Sequence, residues 1–245
     1  MKLKLKIWRQ KNRSSQGYYE KYDVENAVSD MSVLELLDHL NTKLAKSGVR
    51  PVEFDHDCRE GICGQCGFVI NGRPQGLKKN NTTCLTFLRD LPIDSVIQLD
   101  PFRAQAFPVI CDLKVDRTSL DRVIQSGGYI SINTGSAPEA NTIPIRHDIA
   151  EQAFDSASCI GCGACVAACK NSSAALFTAA KITHLNILEQ GKIEAKKRTQ
   201  NMVRQMSEEG FGSCSFTGAC EAECPQSISI TNISFLQKEL IKSIF

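Results

Sequence analysis

The sequence lacks three features that would place it in common functional classes. It has little excess charge, with 29 lysine and arginine residues against 27 aspartate and glutamate residues. Binding along a nucleic acid backbone needs a concentrated excess of positive charge, so no nucleic acid partner is expected. No run approaches the roughly 18 consecutive apolar residues of a transmembrane helix. The first residues alternate lysine with leucine and contain no apolar signal core, so we expect a chain that stays in the cytoplasm.

Cysteine, in contrast, is abundant, with twelve residues in a chain of 245. Cytoplasmic thiols are kept reduced, so cysteines in such a chain point to metal binding or catalysis rather than to disulfides. All but one of these cysteines fall into three groups with regular spacing. The spacing within each group therefore carries the functional prediction.

The first group has the spacing C-x4-C-x2-C followed by a more distant single cysteine, which is typical of plant-type ferredoxins. Its members are Cys58, Cys63, Cys66 and Cys84. Gly61, Gly64 and Gly67 lie between and beside them, as expected where a backbone curls tightly around a cluster. The group predicts a [2Fe–2S] cluster. The alternative is a zinc site, although zinc sites usually pair one C-x2-C motif with another.

The second and third groups form two runs that resemble each other. The run from Cys159 to Cys169 has the spacing C-x2-C-x2-C-x3-C, and the run from Cys214 to Cys224 lacks one cysteine because Thr217 stands in its place. In two-cluster ferredoxins the fourth cysteine of such a run ligates the other cluster. Applied here, the rule predicts a [4Fe–4S] cluster on Cys159, Cys162, Cys165 and Cys224. It predicts a second cluster on Cys169, Cys214 and Cys220.

This second cluster would have only three thiolate ligands. A hydroxyl such as that of Thr217 is a poor ligand for soft iron, so the corner that it faces is expected to hold no iron. The ligand count favours a [3Fe–4S] cluster, and the alternative is a four-iron cluster with water or another oxygen at that corner. Cys111 belongs to no group and is interpreted as a small buried apolar side chain.

Hydrophobic periodicity predicts an α+β protein. Alternating residues at 1–9 and 18–24 predict a hairpin, Ser32 and Glu35 form a capping box, and Asn71-Gly72 predicts a tight turn. Further strands are expected at 68–70 and 95–99. These elements predict an N-terminal plant-type [2Fe–2S] ferredoxin domain of β-grasp type over residues 1–106.

The second half is predicted to be helical. An ordered loop is expected over 128–144, and the helices are expected at 147–157, 173–188, 192–208 and from 231 onward. With cysteines at the helix junctions, residues 107–245 are interpreted as an all-α bacterial-type ferredoxin domain.

Taken together, these motifs resemble the iron–sulfur subunits of succinate dehydrogenase and fumarate reductase. The resemblance extends over nearly the whole chain and includes residues 57–67, Thr83-Cys84, residues 107–110 and Asp112-Leu113. It implies a subunit that passes single electrons between the FAD of a flavoprotein subunit and a quinone at a membrane cytochrome b anchor. The chain would then lie peripherally on the cytoplasmic face of the cell membrane and would contain no substrate-converting residues of its own.

Three departures from the well-known members concern the quinone end. Lys170 stands where many members have proline, Ala174 where they have tryptophan, and Ser215 where they have histidine. This pattern is more similar to the subgroup with a single diheme cytochrome b anchor, and it favours menaquinone near the [3Fe–4S] cluster. Two alternatives remain: a free diffusible ferredoxin, and the iron–sulfur subunit of a soluble thiol-dependent fumarate reductase.

Overall fold

The computed structural model describes residues 1–92, 96–131, 141 and 145–244. Its first half is built on a five-stranded sheet of order β2-β1-β5-β3-β4. The strands are β1 (Leu3–Arg9), β2 (Tyr18–Val24), β3 (Val69–Ile70), β4 (Arg73–Pro74) and β5 (Ile97–Asp100). Strands β1 and β2 form the predicted antiparallel hairpin, and β5 pairs with β1 in parallel. The predicted strand at 95–99 is confirmed from Ile97, while Ser95 lies outside the described residues.

Helix α1 (Val33–Lys46) begins at the predicted capping box. The backbone N–H of Glu35 donates to Ser32 Oγ at 3.2 Å, and the N–H of Ser32 donates to Glu35 Oε2 at 2.7 Å. Past its C-terminal end, Gly48 adopts a left-handed conformation with φ of 68°. The apolar side of α1 and the inward side chains of β1 belong to one buried cluster, so the helix covers the sheet and forms the first core.

Replacing Ser32 by alanine should lower the free energy of unfolding by about 1 kcal/mol, because the backbone N–H of Glu35 loses Ser32 Oγ as its acceptor at the start of α1. Chemical denaturation monitored by far-ultraviolet circular dichroism measures this change. Ser207→Ala, at an exposed position of a later helix, is the matched control and should stay within about 0.5 kcal/mol of the parent. Equal effects of the two substitutions would contradict a capping role for Ser32.

The second half is mainly helical. The helices are α2 (Thr118–Gln125), α3 (His147–Ala157), α4 (Ala164–Ala168), α5 (Ala175–Asn186), α6 (Glu189–Lys192), α7 (Ala195–Glu208), α8 (Ala219–Ala222) and α9 (Thr231–Ile244). The predicted helix at 147–157 is confirmed with its bounds, and the last helix begins at 231 as predicted. The helices predicted at 173–188 and 192–208 are confirmed with shorter bounds. Residues 132–140 and 142–144 of the predicted loop lie outside the described residues, as does Phe245.

A second buried cluster joins α2, α4, α5, α7 and α9, and it contains two of the predicted cysteine ligands, Cys162 and Cys224. The connecting segment between the two halves, residues 102–115, contributes to both cores. Phe102 and Phe107 pack in the second cluster, and Leu113 packs in the first. The boundary between 106 and 107 therefore stays a prediction. Among the described residues, no helix has the length and apolarity needed to cross a membrane.

The connecting segment also forms a small hairpin that the sequence did not predict. Strands β6 (Val109–Cys111) and β7 (Lys114–Val115) pair around Asp112, which has a left-handed φ of 47°. Cys111 is partly exposed there, and its Sγ accepts a hydrogen bond from Arg50 at 3.2 Å. It is therefore less buried than its interpretation as an apolar core residue implied.

Candidate metal centres

The first cysteine group lies mainly on the irregular loop between α1 and β3. Left-handed backbone at Gly61 (φ 77°) and Gly64 (φ 73°) curls this loop. The curl directs backbone N–H groups at sulfur: that of Glu60 donates to Cys58 Sγ at 3.3 Å, and that of Gln65 donates to Cys63 Sγ at 3.4 Å. Hydrogen bonds from the N–H groups of Glu60 and Ile62 lower the pKa of Cys58. The loop therefore favours the thiolate form that binds iron.

Cys84 completes this group from a separate turn. It lies in the 3-10 turn Thr83–Leu85, and its Sγ is 3.2 Å from Thr82 Oγ1. A hydrogen bond with Cys66 and a second with Thr82 lower the pKa of Cys84 to about 6. The same contact with Cys84, together with burial, raises the pKa of Cys66. Cys84 and Cys66 thus lie within hydrogen-bonding distance of each other, as two ligands of one cluster would.

The four predicted [4Fe–4S] ligands, called the second group from here on, surround one cavity in the helical half. Its lining includes Cys159, Cys162, Cys165 and Cys224 together with apolar neighbours such as Phe177 and Ile228. The cavity therefore brings together cysteines from both runs, as the crossover rule predicts. Burial raises the pKa of Cys162 to about 12 and that of Cys165 well above its ordinary value.

Thiolates are unfavourable in such apolar surroundings unless a nearby cation offsets their charge. Iron would provide that charge and would keep the coordinating thiols deprotonated. The all-sulfur donor set is also the one that iron–sulfur clusters use. The residues present therefore fit an iron–sulfur cluster at this cavity.

The three predicted [3Fe–4S] ligands, Cys169, Cys214 and Cys220, are called the third group from here on, and all three are partly exposed. Burial raises the pKa of Cys220, on α8, and the thiols of Cys214 and Cys169 raise it further. Thr217 is exposed on the loop that contains Cys214. Helix α4, which carries Cys165, contacts helix α8, which carries Cys220, so the second and third groups are neighbours.

The loop around Cys214 is tied to the segment after Cys169. Asn171 Nδ2 donates to the carbonyl oxygen of Ser213 at 2.9 Å and to Ser215 Oγ at 3.3 Å. Two of the three residues that depart from the well-known members, Ser215 and Ala174, have defined surroundings in the structure. Ser215 accepts a hydrogen bond from Asn171, and Ala174 is fully buried at the start of α5.

In the described part of the chain, no three side chains of His, Cys, Asp or Glu are arranged to hold a single metal ion. Cluster ligands need not meet at one point, because in a [4Fe–4S] cluster each thiolate binds a different iron. The assignment of individual cysteines as ligands stays a prediction.

The loops of the first two groups contact each other through their backbones. A Cβ atom on Gly64 would lie 2.3 Å from the carbonyl oxygen of Ile160 and 3.2 Å from the Cα of Cys162. Such a distance excludes any residue with a side chain unless one loop moves. Only glycine allows the first loop to approach the second this closely.

Gly64→Ala should therefore weaken both the fold and the retention of iron in the first two groups. We expect the free energy of unfolding to fall by about 1–3 kcal/mol more than in the control Gly72→Ala, because of the added steric overlap. Gly72 has a similar φ of 80° but open space around its Cβ position, so the control isolates backbone strain. Denaturant unfolding and iron content measure the effect, and equal losses in both variants would contradict the close contact.

A second link between the halves was not visible in the sequence. Arg73 on β4 donates to Glu223 Oε1 through Nε at 3.0 Å and through a terminal nitrogen at 2.7 Å. Glu223 directly precedes Cys224. The two residues are 150 positions apart in the chain, and neither is a residue by which a motif was recognised, so no sequence signal indicates the pair.

Comparison with known proteins agrees with these features. Residues 4–122 match the family of 2Fe-2S iron-sulfur cluster binding domains, and residues 155–228 match the family of 4Fe-4S dicluster domains. The succinate dehydrogenase iron-sulfur subunit of Bacillus subtilis is 26% identical over 92% of this chain and 87% of its own length. The fumarate reductase iron-sulfur subunit of Wolinella succinogenes is 27% identical over 93% of this chain and 91% of its own length.

A solved structure, titled as the Mycobacterium smegmatis Sdh1 complex in the apo form, has a chain with the same fold. The TM-score is 0.70 at 20% identity, and the match covers 98% of this chain and 96% of that one. Fold and cysteine groups together define an iron–sulfur protein with a plant-type and a bacterial-type ferredoxin module. The chain belongs to the family of iron–sulfur subunits of succinate dehydrogenase and fumarate reductase. This membership supports a role in electron transfer.

Proposed function

We propose that the chain carries single electrons between the FAD of a flavoprotein subunit and a quinone at a membrane anchor, as part of a succinate:quinone oxidoreductase. The observation that carries the proposal is the series formed by the three cysteine groups. The first group contacts the second at Gly64 and Ile160. The second group neighbours the third, because helix α4 with Cys165 contacts helix α8 with Cys220. A continuous series of this kind is what a relay between two distant sites needs.

The proposed ligands follow the three groups. Those of the [2Fe–2S] cluster are Cys58, Cys63, Cys66 and Cys84, those of the [4Fe–4S] cluster are Cys159, Cys162, Cys165 and Cys224, and those of the [3Fe–4S] cluster are Cys169, Cys214 and Cys220. When bound, such clusters would supply one-electron chemistry, which can couple a two-electron flavin to a two-electron quinone. The chain's own side chains would bind the clusters, shield them from water and fix their positions.

We also propose how the parts are used. Residues 1–106 would dock on the flavoprotein, where succinate and fumarate are converted, and residues 107–245 would face the anchor. The chain would lie on the cytoplasmic face of the membrane and be held there by its partner. The identities of Lys170, Ala174 and Ser215, which are more similar to the subgroup with a single diheme cytochrome b anchor, support such an anchor and menaquinone as the quinone.

The test is purification of the tagged chain from membranes solubilised in mild detergent. We expect it to bring down a flavoprotein with covalently bound FAD and a heme-containing subunit. Succinate should then reduce the purified complex, as seen by electron paramagnetic resonance (EPR). Malonate has the two carboxylates but no pair of adjacent CH₂ groups to oxidise, so it is the matched control and should leave the clusters oxidised.

Two results would contradict the proposal. A chain that purifies alone with its full content of iron would support a free ferredoxin. A complex without a heme subunit that needs a thiol to reduce fumarate would support the soluble thiol-dependent enzyme.

Replacing Thr217 by cysteine should convert the third site to a four-iron cluster, because it restores the thiolate that this run lacks. A [3Fe–4S] cluster is paramagnetic when oxidised, whereas an oxidised [4Fe–4S] cluster of this type is not. We therefore expect the EPR signal of the oxidised protein to disappear and the iron content to rise by about one atom per chain. Thr217→Ser adds no thiolate and is the control that should keep the signal. Persistence of the oxidised signal in Thr217→Cys would contradict the ligand assignment.

A further inference from the structure

Arg117 lies between the loops of the first and second cysteine groups and donates hydrogen bonds to both. One terminal nitrogen is 2.6 Å from the carbonyl oxygen of Gly64 and 2.7 Å from that of Cys162. The other is 2.8 Å from the carbonyl oxygen of Gln65 and 3.1 Å from its Oε1. A single guanidinium therefore joins the two loops where Gly64 lies close to the backbone of the second loop.

The local structure holds this side chain in place. Asp116 Oδ1 accepts hydrogen bonds from the backbone N–H of Thr118 at 3.0 Å and from its Oγ1 at 2.7 Å. This contact fixes the turn before α2, from which Arg117 extends. A Cβ atom built on Gly163 would lie 3.4 Å from the Cδ of Arg117. The aliphatic part of the arginine side chain therefore packs over the loop of the second group.

Among the described residues, no carboxylate neutralises the positive charge of Arg117. Its four acceptors are three carbonyl oxygens and one amide oxygen, and within the described residues it forms no ion pair. Arginine stays protonated at all relevant pH values. Its charge lies close to the second group, because one terminal nitrogen is 2.7 Å from the carbonyl oxygen of Cys162.

From this geometry we propose that Arg117 is a positioning residue shared by the first two sites, which holds their ligand loops together and raises the reduction potentials of both clusters. The inference rests on the proposed function, since it takes the two groups to hold clusters. Reduction adds negative charge, and a fixed cation nearby stabilises the reduced form. The planar fork of a guanidinium also suits simultaneous contacts with two loops better than the single ammonium of lysine.

The experiment is a redox titration of the intact complex, with each cluster monitored by its own EPR signal. Arg117→Leu and Arg117→Gln remove the charge, and we expect both to lower the midpoint potentials of the first and second clusters while leaving the third unchanged. Arg117→Lys keeps the charge, so its potentials should lie closer to those of the parent. Arg146→Gln, at an exposed arginine, is the matched control and should shift none of the three.

Several outcomes would overturn the proposal. These are unchanged potentials in both neutral variants at full cluster content, an equal shift of all three clusters, or an equal shift in Arg146→Gln. If the neutral variants lose iron while Arg117→Lys retains it, the requirement for the charge is supported. Loss of iron in Arg117→Lys as well would mean that the contacts serve folding alone, and this too would overturn it. A parent complex without clusters would instead refute the proposed function itself.

Discussion

Cys224→Ser is expected to abolish the [4Fe–4S] signal although this cysteine belongs to the C-terminal run. The reason is that Cys224 lines the same cavity as Cys159, Cys162 and Cys165. A serine hydroxyl is a poor ligand for soft iron, and the remaining buried thiols would lose the positive charge that offsets them. EPR of the reduced chain and its iron content measure the loss, which we expect to be nearly complete.

The leftover cysteine provides the control for this substitution. Cys111→Ser makes the same chemical change outside the three groups and should leave all clusters in place. The reciprocal variant, Cys169→Ser, should remove the oxidised three-iron signal even though Cys169 follows the ligands of the four-iron site. Loss of the three-iron signal in Cys224→Ser with the four-iron signal intact would contradict the crossover of the two runs.

Asp112→Ala is expected to lower the free energy of unfolding by about 3–5 kcal/mol, the range for breaking a buried ion pair. The Asp112 carboxylate is fully buried and accepts from Arg9 Nε at 3.2 Å and from Arg50 at 2.7 and 3.0 Å. It also accepts from the backbone N–H groups of Gln10 at 2.8 Å and Glu53 at 3.0 Å. Its removal would leave the buried Arg9 with only the partly exposed Glu20, 3.6 Å away, as a counter-charge, and two N–H groups without an acceptor.

Denaturant unfolding measures this loss of stability. It can be monitored by the fluorescence of Trp8, the single tryptophan of the chain, which directly precedes Arg9. Asp30→Ala is the control: Asp30 pairs with Arg89 at 2.7 Å, but its side chain is 76% exposed. Exposed pairs contribute up to about 1 kcal/mol. Asp112→Asn tolerates the left-handed backbone and keeps one acceptor, so it should cost less than the alanine. Equal effects of Asp112→Ala and Asp30→Ala would contradict the role of this network.

The fold was predictable where the information is local. Strict alternation over β1 buries Leu3, Leu5 and Ile7, and the capping box at Ser32 fixes the start of α1. The β6–β7 hairpin was missed because its strands have only three and two residues. Its turn at Asp112 is stabilised by Arg9, which is 103 positions away in the chain.

The cysteine groups were predictable because ligand spacing is a local constraint of the clusters themselves. The side chains that determine how the groups pack against each other were not predictable. Arg117 contacts Gly64 across 53 positions, and Arg73 contacts Glu223 across 150. Spacing within a motif contains no information about such contacts, which depend on how the two halves pack.

The most direct test of the central claim is EPR combined with iron analysis on the full-length chain in its purified complex. We predict three distinct paramagnetic centres and about nine iron atoms per chain. One centre should be visible in the oxidised protein, and the other two should appear on reduction. Finding only two centres, or no signal in the oxidised protein, would contradict the claim that the chain holds a [2Fe–2S], a [4Fe–4S] and a [3Fe–4S] cluster.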